Sequence, residues 1–153
     1  MSSIDRTDPV ILGHILVQHR ELFARLTTIR SHLTLPWAAS APAFRAAAAA
    51  LADLREHLAT HFRQEECGGF LEESIVRMPR LSGAMQAVLD EHPALLAELD
   101  GLIETIRLAD ISPLAWAQAA RDFEAFAAHL LAHERNEHAV VQEGYNEDLG
   151  LED

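Results

Sequence analysis

The chain has 153 residues, with 24 acidic against 12 basic side chains and a formal charge of −12. That excess of acid argues against a nucleic-acid partner, because phosphate binding needs a basic surface, and against anionic membrane surfaces for the same reason. Hydrophobic content of 49% with only 6% aromatic residues suits an aliphatic helical protein better than a β-sandwich.

No stretch approaches the ~20 consecutive apolar residues that span a bilayer. The opening "MSSIDRTDP" lacks a basic segment followed by an apolar one, so no signal peptide is expected. With a single cysteine, Cys67, an intrachain disulfide is ruled out, and a cytoplasmic location is the expectation. The length fits one domain over 1–153, with a helical core at about 9–141 and an acidic tail at 142–153.

Asp8 and Pro9 supply an N-cap and a first helical position. From there Leu12, Ile15, Leu16, Leu22, Phe23, Leu26 and Leu33 recur at steps of three and four, the stripe of a first helix. "TLPWAASAP" at 34–42 breaks it. A second helix is expected from about Pro42 to Glu66, ended by Gly68 and Gly69. "FLEESIVRMP" at 70–79 can form a short helix. A third long helix at roughly 82–109 holds Pro93 in its interior, where a kink is expected. Ser112 and Pro113 repeat the opening device, and a fourth helix is predicted to about Val141. Four helices of about 25 residues with short connections read as an all-α, up-down-up-down four-helix bundle.

The motif that needs explaining occurs twice. "HLATHFRQEE" (57–66) and "HLLAHERNEH" (129–138) both carry His-x3-His-x3-Glu. Residues four apart share a helix face, so His61 points with Glu65 and His133 with Glu137. Leu54 and Leu58 behind His61, and Phe126 and Leu130 behind His133, place both pairs on the core-facing stripe. His19 sits among Ile15, Leu16, Leu22, Phe23 and Leu26, and His92 among Val88, Leu89, Leu95, Leu96 and Leu99. A lone histidine on an apolar face is usually a satisfied core residue. Four helices each aiming one at the same core form a cluster, and its distances from the connecting loops put the imidazoles near one level.

Buried carboxylates and imidazoles without partners cost several kcal/mol. Cations are their natural partners, so a metal site in the bundle core is expected. Four imidazoles and two carboxylates exceed one tetrahedral zinc and suit two octahedral first-row ions bridged by the carboxylates. Ligand softness alone leaves iron, manganese and zinc open.

Over residues 9–141 the chain resembles the haemerythrin-like (HHE cation-binding) family. The matching pieces are "QHRELFARL", "HFRQEE", "DEHPALLAEL" and "HERNE", in the order His, His-x3-Glu, His, His-x3-Glu. The resemblance implies two non-haem iron ions with an oxo or hydroxo bridge. Glu65 and Glu137 would bridge them, with His19, His61, His92 and His133 as terminal ligands. Oxygen-carrying haemerythrins place a fifth histidine one turn after the first on the third helix. Leu96 stands there in this chain. They also carry His-x4-Asp on the last helix in place of His-x3-Glu. His57 and His129, each one turn from a ligand, are the candidates to replace the fifth histidine.

The function implied is binding or sensing of a small diatomic ligand, most simply O2, behind apolar walls from Phe23, Leu58, Leu96 and Leu130. The competing readings use the same centre to reduce peroxide or nitric oxide, or to store and donate iron under oxidative or nitrosative stress. A separate protein partner fits a sensing role. A ferritin-like oxidase is disfavoured, since that fold uses Glu-x-x-His pairs. Glu66 is expected on the solvent side, and His14, His32 and His138 on the periphery.

Overall fold

The structure, a computed structural model, describes residues 9–34, 40–67 and 79–150, with side chains described at 17–34, 40–67 and 79–143. Among them are four α-helices, α1 (Pro9–Leu33), α2 (Ala41–Cys67), α3 (Ser82–Leu108) and α4 (Pro113–Gly150), with a 3-10 turn at Pro79–Leu81 leading into α3. Each helix packs on its sequence neighbours and α4 closes back on α1, which makes a four-helix bundle.

The local signals explain the boundaries. The Ser112 hydroxyl accepts the Ala115 N–H at 3.1 Å, and Ser40 accepts the Ala43 N–H at 3.2 Å, each satisfying a donor that the first helical turn leaves orphaned. Helix α3 continues through Pro93, where the backbone has no N–H to donate. The last helix runs past the expected stop at Val141 to Gly150, so residues 142–150 are helical. Val141 is the last buried apolar residue among the described side chains, but no proline follows it within the helix to end the backbone ladder. The predicted Asp8 cap, the Gly68–Gly69 stop and the short helix at 70–79 lie outside the described residues.

The bundle has a dry half and a polar half. Phe44 and Trp116 meet at 4.9 Å between centroids where α2 and α4 begin, with Leu33 and Ile106 at the facing helix ends. Leu51, Leu54, Leu58, Leu99, Phe123, Phe126 and Leu130 continue this core, all with no exposed surface. Burial of each such side chain contributes about 1.5–3 kcal/mol, and this packed half fixes the helices beneath the polar layer. Arg30 makes a two-pronged contact from α1 to Glu124 of α4 (2.6 and 3.0 Å), and Arg55 one from α2 to Asp100 of α3 (3.0 and 3.3 Å). These pairs are half exposed and worth at most about 1 kcal/mol each, so they help set register more than stability.

Candidate metal centre

Above Leu58 on α2 the stripe turns polar at His61 and Glu65. Above Leu130 on α4 it turns polar at His133, Glu134 and Glu137. His19 of α1 and His92 of α3 face the same space. All seven side chains are buried, from 0% exposure for His133 to 9% for His19. Their donor atoms form two groups, His19, His61, Glu134 and Glu137, and Glu65, His92, His133 and Glu137, each with all donor atoms within 4.8 Å of one another. The groups overlap at Glu137. Glu65 also spans both, since its Oε1 touches His61 Nε2 while its Oε2 lies 3.1 Å from His92 Nε2.

The outer nitrogens of three imidazoles are fixed. His61 Nδ1 donates to Gln18 Oε1 at 2.8 Å, His92 Nδ1 to Glu66 Oε1 at 2.9 Å, and His133 Nδ1 to Glu91 Oε2 at 3.0 Å. A carboxylate and an amide oxygen only accept, so the proton sits on Nδ1 and the Nε2 lone pair points inward. Gln18 is itself held, its amide nitrogen donating to Gln64 Oε1 at 2.5 Å. Partners of this kind orient imidazoles that bind metal.

Inside, acceptors face acceptors. The Nε2 atoms of His19, His61, His92 and His133 and all six carboxylate oxygens of Glu65, Glu134 and Glu137 are buried without a hydrogen-bond partner. His19 Nε2 is nevertheless 2.5 Å from Glu134 Oε2, and His133 Nε2 is 3.5 Å from Glu137 Oε2. Lone pairs crowded this closely need positive charge between them, supplied by protons or by cations.

The titration behaviour shows the same demand. Burial resists ionisation of Glu65, but the imidazoles of His61 and His92 against its two oxygens outweigh it and hold the carboxyl at about 2. Burial, together with the neighbouring charges of Glu65 and Glu134, pushes Glu137 up to about 11. Burial also opposes charging of His61 and His92, yet Glu65 with Glu134, and Glu65 with Glu66, raise both imidazoles. The residues therefore fit a pair of cations: the donors are oxygen and imidazole nitrogen, they are unsatisfied, and three carboxylates share one buried space.

The structure brings together His19, His61, Glu65, His92, His133 and Glu137, and adds Glu134. It leaves out His57 and His129. His57 is half-buried near Glu21, its Nε2 4.0 Å from that carboxylate, and burial followed by the charge of Arg25 lowers its pKa. His129 faces solvent and pairs with Glu98 at 2.9 Å. Glu66 is largely on the solvent side, as its angle from Glu65 implies, but it also anchors His92. Glu134 was legible in principle, since Phe126, Leu130 and Glu134 follow one another at steps of four along the buried stripe. Of the expected walls, Leu58 and Leu130 are fully buried and Leu96 partly so. Phe23 is not a closed wall: it is 47% exposed and lines a cleft.

That cleft, about 810 Å³, lies between α1 and α4. Its described lining is mostly apolar, with Phe23, Leu131 and Ala139, and includes Arg135 and His138. His19 and Glu134 form part of its wall, so one of the two groups borders the cleft and the other does not.

No curated protein and no solved structure shows significant similarity to the chain. The family described as Hemerythrin HHE cation binding domain matches residues 10–143, which take in all seven buried polar residues. With that match and a His/Glu cluster suited to a binuclear cation site in the core of a four-helix bundle, the chain belongs to the haemerythrin HHE cation-binding family.

Proposed function

We propose that the protein is a non-haem di-iron protein that binds or reacts with a small diatomic ligand, most simply O2. The observation that carries this reading is the set of four inward Nε2 atoms and shared carboxylates left without hydrogen-bond partners in two overlapping groups. His19 and His61 would hold one iron, His92 and His133 the other, and Glu65 and Glu137 would span the two. Bound iron would supply the electrons with which a diatomic ligand is reduced or reversibly held.

The chain's own residues do the rest. Gln18, Glu66 and Glu91 hold the Nδ1 atoms and aim Nε2 inward, so that metal binding requires no rotamer search. Leu58, Leu130 and Phe62 close the side toward the dry half of the bundle and exclude water from it. Glu137, which grips a proton in the cation-free site, would exchange that proton for metal.

A second reading, reduction of peroxide or nitric oxide, is favoured by the cleft at His19 and Glu134. A reversible O2 carrier keeps its centre closed, whereas here a cleft reaches the His19 and Glu134 side chains. Iron storage or donation uses the same residues.

Iron content per chain, with ultraviolet–visible spectra before and after dithionite and after return of air, tests the proposal. Two irons with bands that bleach on reduction and return on oxygenation, then fade as O2 is withdrawn, support reversible binding. Turnover of peroxide or nitric oxide, lost in His61→Ala, supports the second reading. One zinc, or no metal after iron-supplemented expression, overturns both.

A further inference from the structure

Glu134 has no place in a site made of four histidines and two bridging carboxylates, yet it is 4% exposed and both its oxygens lack a hydrogen-bond partner. A buried carboxylate in that state carries a free-energy cost that a proton or a cation has to offset. Its two oxygens are committed in one direction. Oε2 lies 2.5 Å from His19 Nε2 and Oε1 3.8 Å from His61 Nε2, and Glu134 belongs to the group containing those histidines only. Glu65 and Glu137 behave differently, Glu65 reaching His61 and His92, and Glu137 belonging to both groups.

We infer that Glu134 is a third carboxylate ligand, private to the cation held by His19 and His61, and that the two cation positions are therefore chemically unequal. This rests on the dinuclear reading above. The His19/His61 position has its own anionic ligand and borders the cleft. The His92/His133 position has only the shared carboxylates and is enclosed by Phe62, stacked on His92 at 3.8 Å and edge-on to His133 at 5.5 Å. A third negative charge at one position favours a hard, higher-charged cation there. The cleft makes the same position the one that an incoming molecule reaches.

The test uses the full-length metal-free chain and Mn²⁺, which needs no redox chemistry and reports by electron paramagnetic resonance whether two ions are spin-coupled. Wild type should bind two Mn²⁺ as a coupled pair. Glu134→Gln, which keeps side-chain volume and removes the charge, should retain one Mn²⁺ at wild-type affinity. The second should weaken by at least about tenfold, because losing an outer-shell partner alone costs 10–100-fold, so an uncoupled one-ion species accumulates. In double-mutant comparisons Glu134→Gln should be non-additive with His19→Gln and additive with His92→Gln. If Glu134→Gln fails to fold, Glu134→Asp, with its charge kept and its reach shortened, should show the same selective weakening.

Two coupled Mn²⁺ bound by Glu134→Gln as tightly as by wild type would overturn the inference while the dinuclear centre stands. Coupling of Glu134 to His92 in place of His19 would overturn it too. Failure of the wild-type chain to bind two ions would instead remove the dinuclear reading on which it rests.

Discussion

Phe62 lies flat on His92, with ring centroids 3.8 Å apart and planes 5° from parallel, and meets His133 edge-on at 5.5 Å. One aromatic ring on α2 therefore orients imidazoles from α3 and α4. Phe62 is 2% exposed, and removing a ring of this kind costs about 3–5 kcal/mol. Phe62→Ala should lower the melting temperature and, separately, weaken metal binding at the His92/His133 position. Thermal unfolding with metal analysis checks this. A variant that melts lower but binds both cations with wild-type affinity would reduce Phe62 to core packing.

The outward hydrogen bonds predict a contrast between two acidic residues on the same helix. Glu91 accepts from His133 Nδ1 and Glu98 accepts from His129 Nδ1, both at about 3 Å. Only the first imidazole faces the cluster. Glu91→Ala should weaken metal affinity by about 10–100-fold, whereas Glu98→Ala should leave it unchanged. Gln18→Ala should resemble Glu91→Ala through His61. Equal affinities for the Glu91 and Glu98 variants in a competition titration would show that these contacts do not orient ligands.

His57 and His129 divide the repeated His-x3-His-x3-Glu into a part that meets the cluster and a part that does not. Each is four residues from a clustered histidine, but one rests near Glu21 and the other points to solvent. His57→Ala and His129→Ala should each keep two cations per chain, and His61→Ala and His133→Ala should not. Loss of a cation in either of the first two would return that residue to the ligand set.

The fold was readable because every helix carries a long apolar stripe and two of the four starts carry a serine cap at its expected distance. The buried His/Glu pairs followed from the same stripe. Glu134 was missed because the reading followed His133, which lies about 100° away around the helix, although the step of four from Leu130 keeps Glu134 on the buried stripe. The cluster is wide enough to take in both directions, which only the packing of α1 against α4 reveals. Glu66 shows the reverse case. Its exposed position was legible, but its bond to His92 depends on how α2 meets α3. The end of α4 was misjudged because an apolar stripe marks where a helix is buried and not where its backbone ladder stops.

The cleft predicts how metal leaves. Ala139 is exposed on α4 and lines the opening beside His138, and it is not one of the clustered donors. Ala139→Trp should narrow the opening without touching a donor, so cation stoichiometry stays the same while extraction by a chelator slows severalfold for one of the two ions. Unchanged extraction kinetics would mean that metal escapes by another route, such as opening of the helix ends.

The metal-free protein should lose stability as pH rises, and the sign follows from the shifts. Glu137 in the folded chain keeps a proton up to about 11 that the unfolded chain releases near 4.5, so over that range the folded state binds more protons and stability falls with pH. His61 and His92, raised above 6.5, act in the same direction above that value. Glu65, held at about 2, has the opposite sign but acts only between about 2 and 4.5, where its contribution is lost as pH falls. Metal-free protein should therefore be most stable in mildly acidic solution and melt progressively lower from pH 6 to pH 9. Metal binding displaces the protons on Glu137 and the imidazoles, so loading should strengthen over the same interval and release protons as it proceeds. The gap in melting temperature between loaded and metal-free protein should then widen with pH. A gap that stays constant from pH 6 to pH 9, measured alongside proton release by calorimetry in two buffers, would show that the buried carboxylates and imidazoles do not exchange protons for cations.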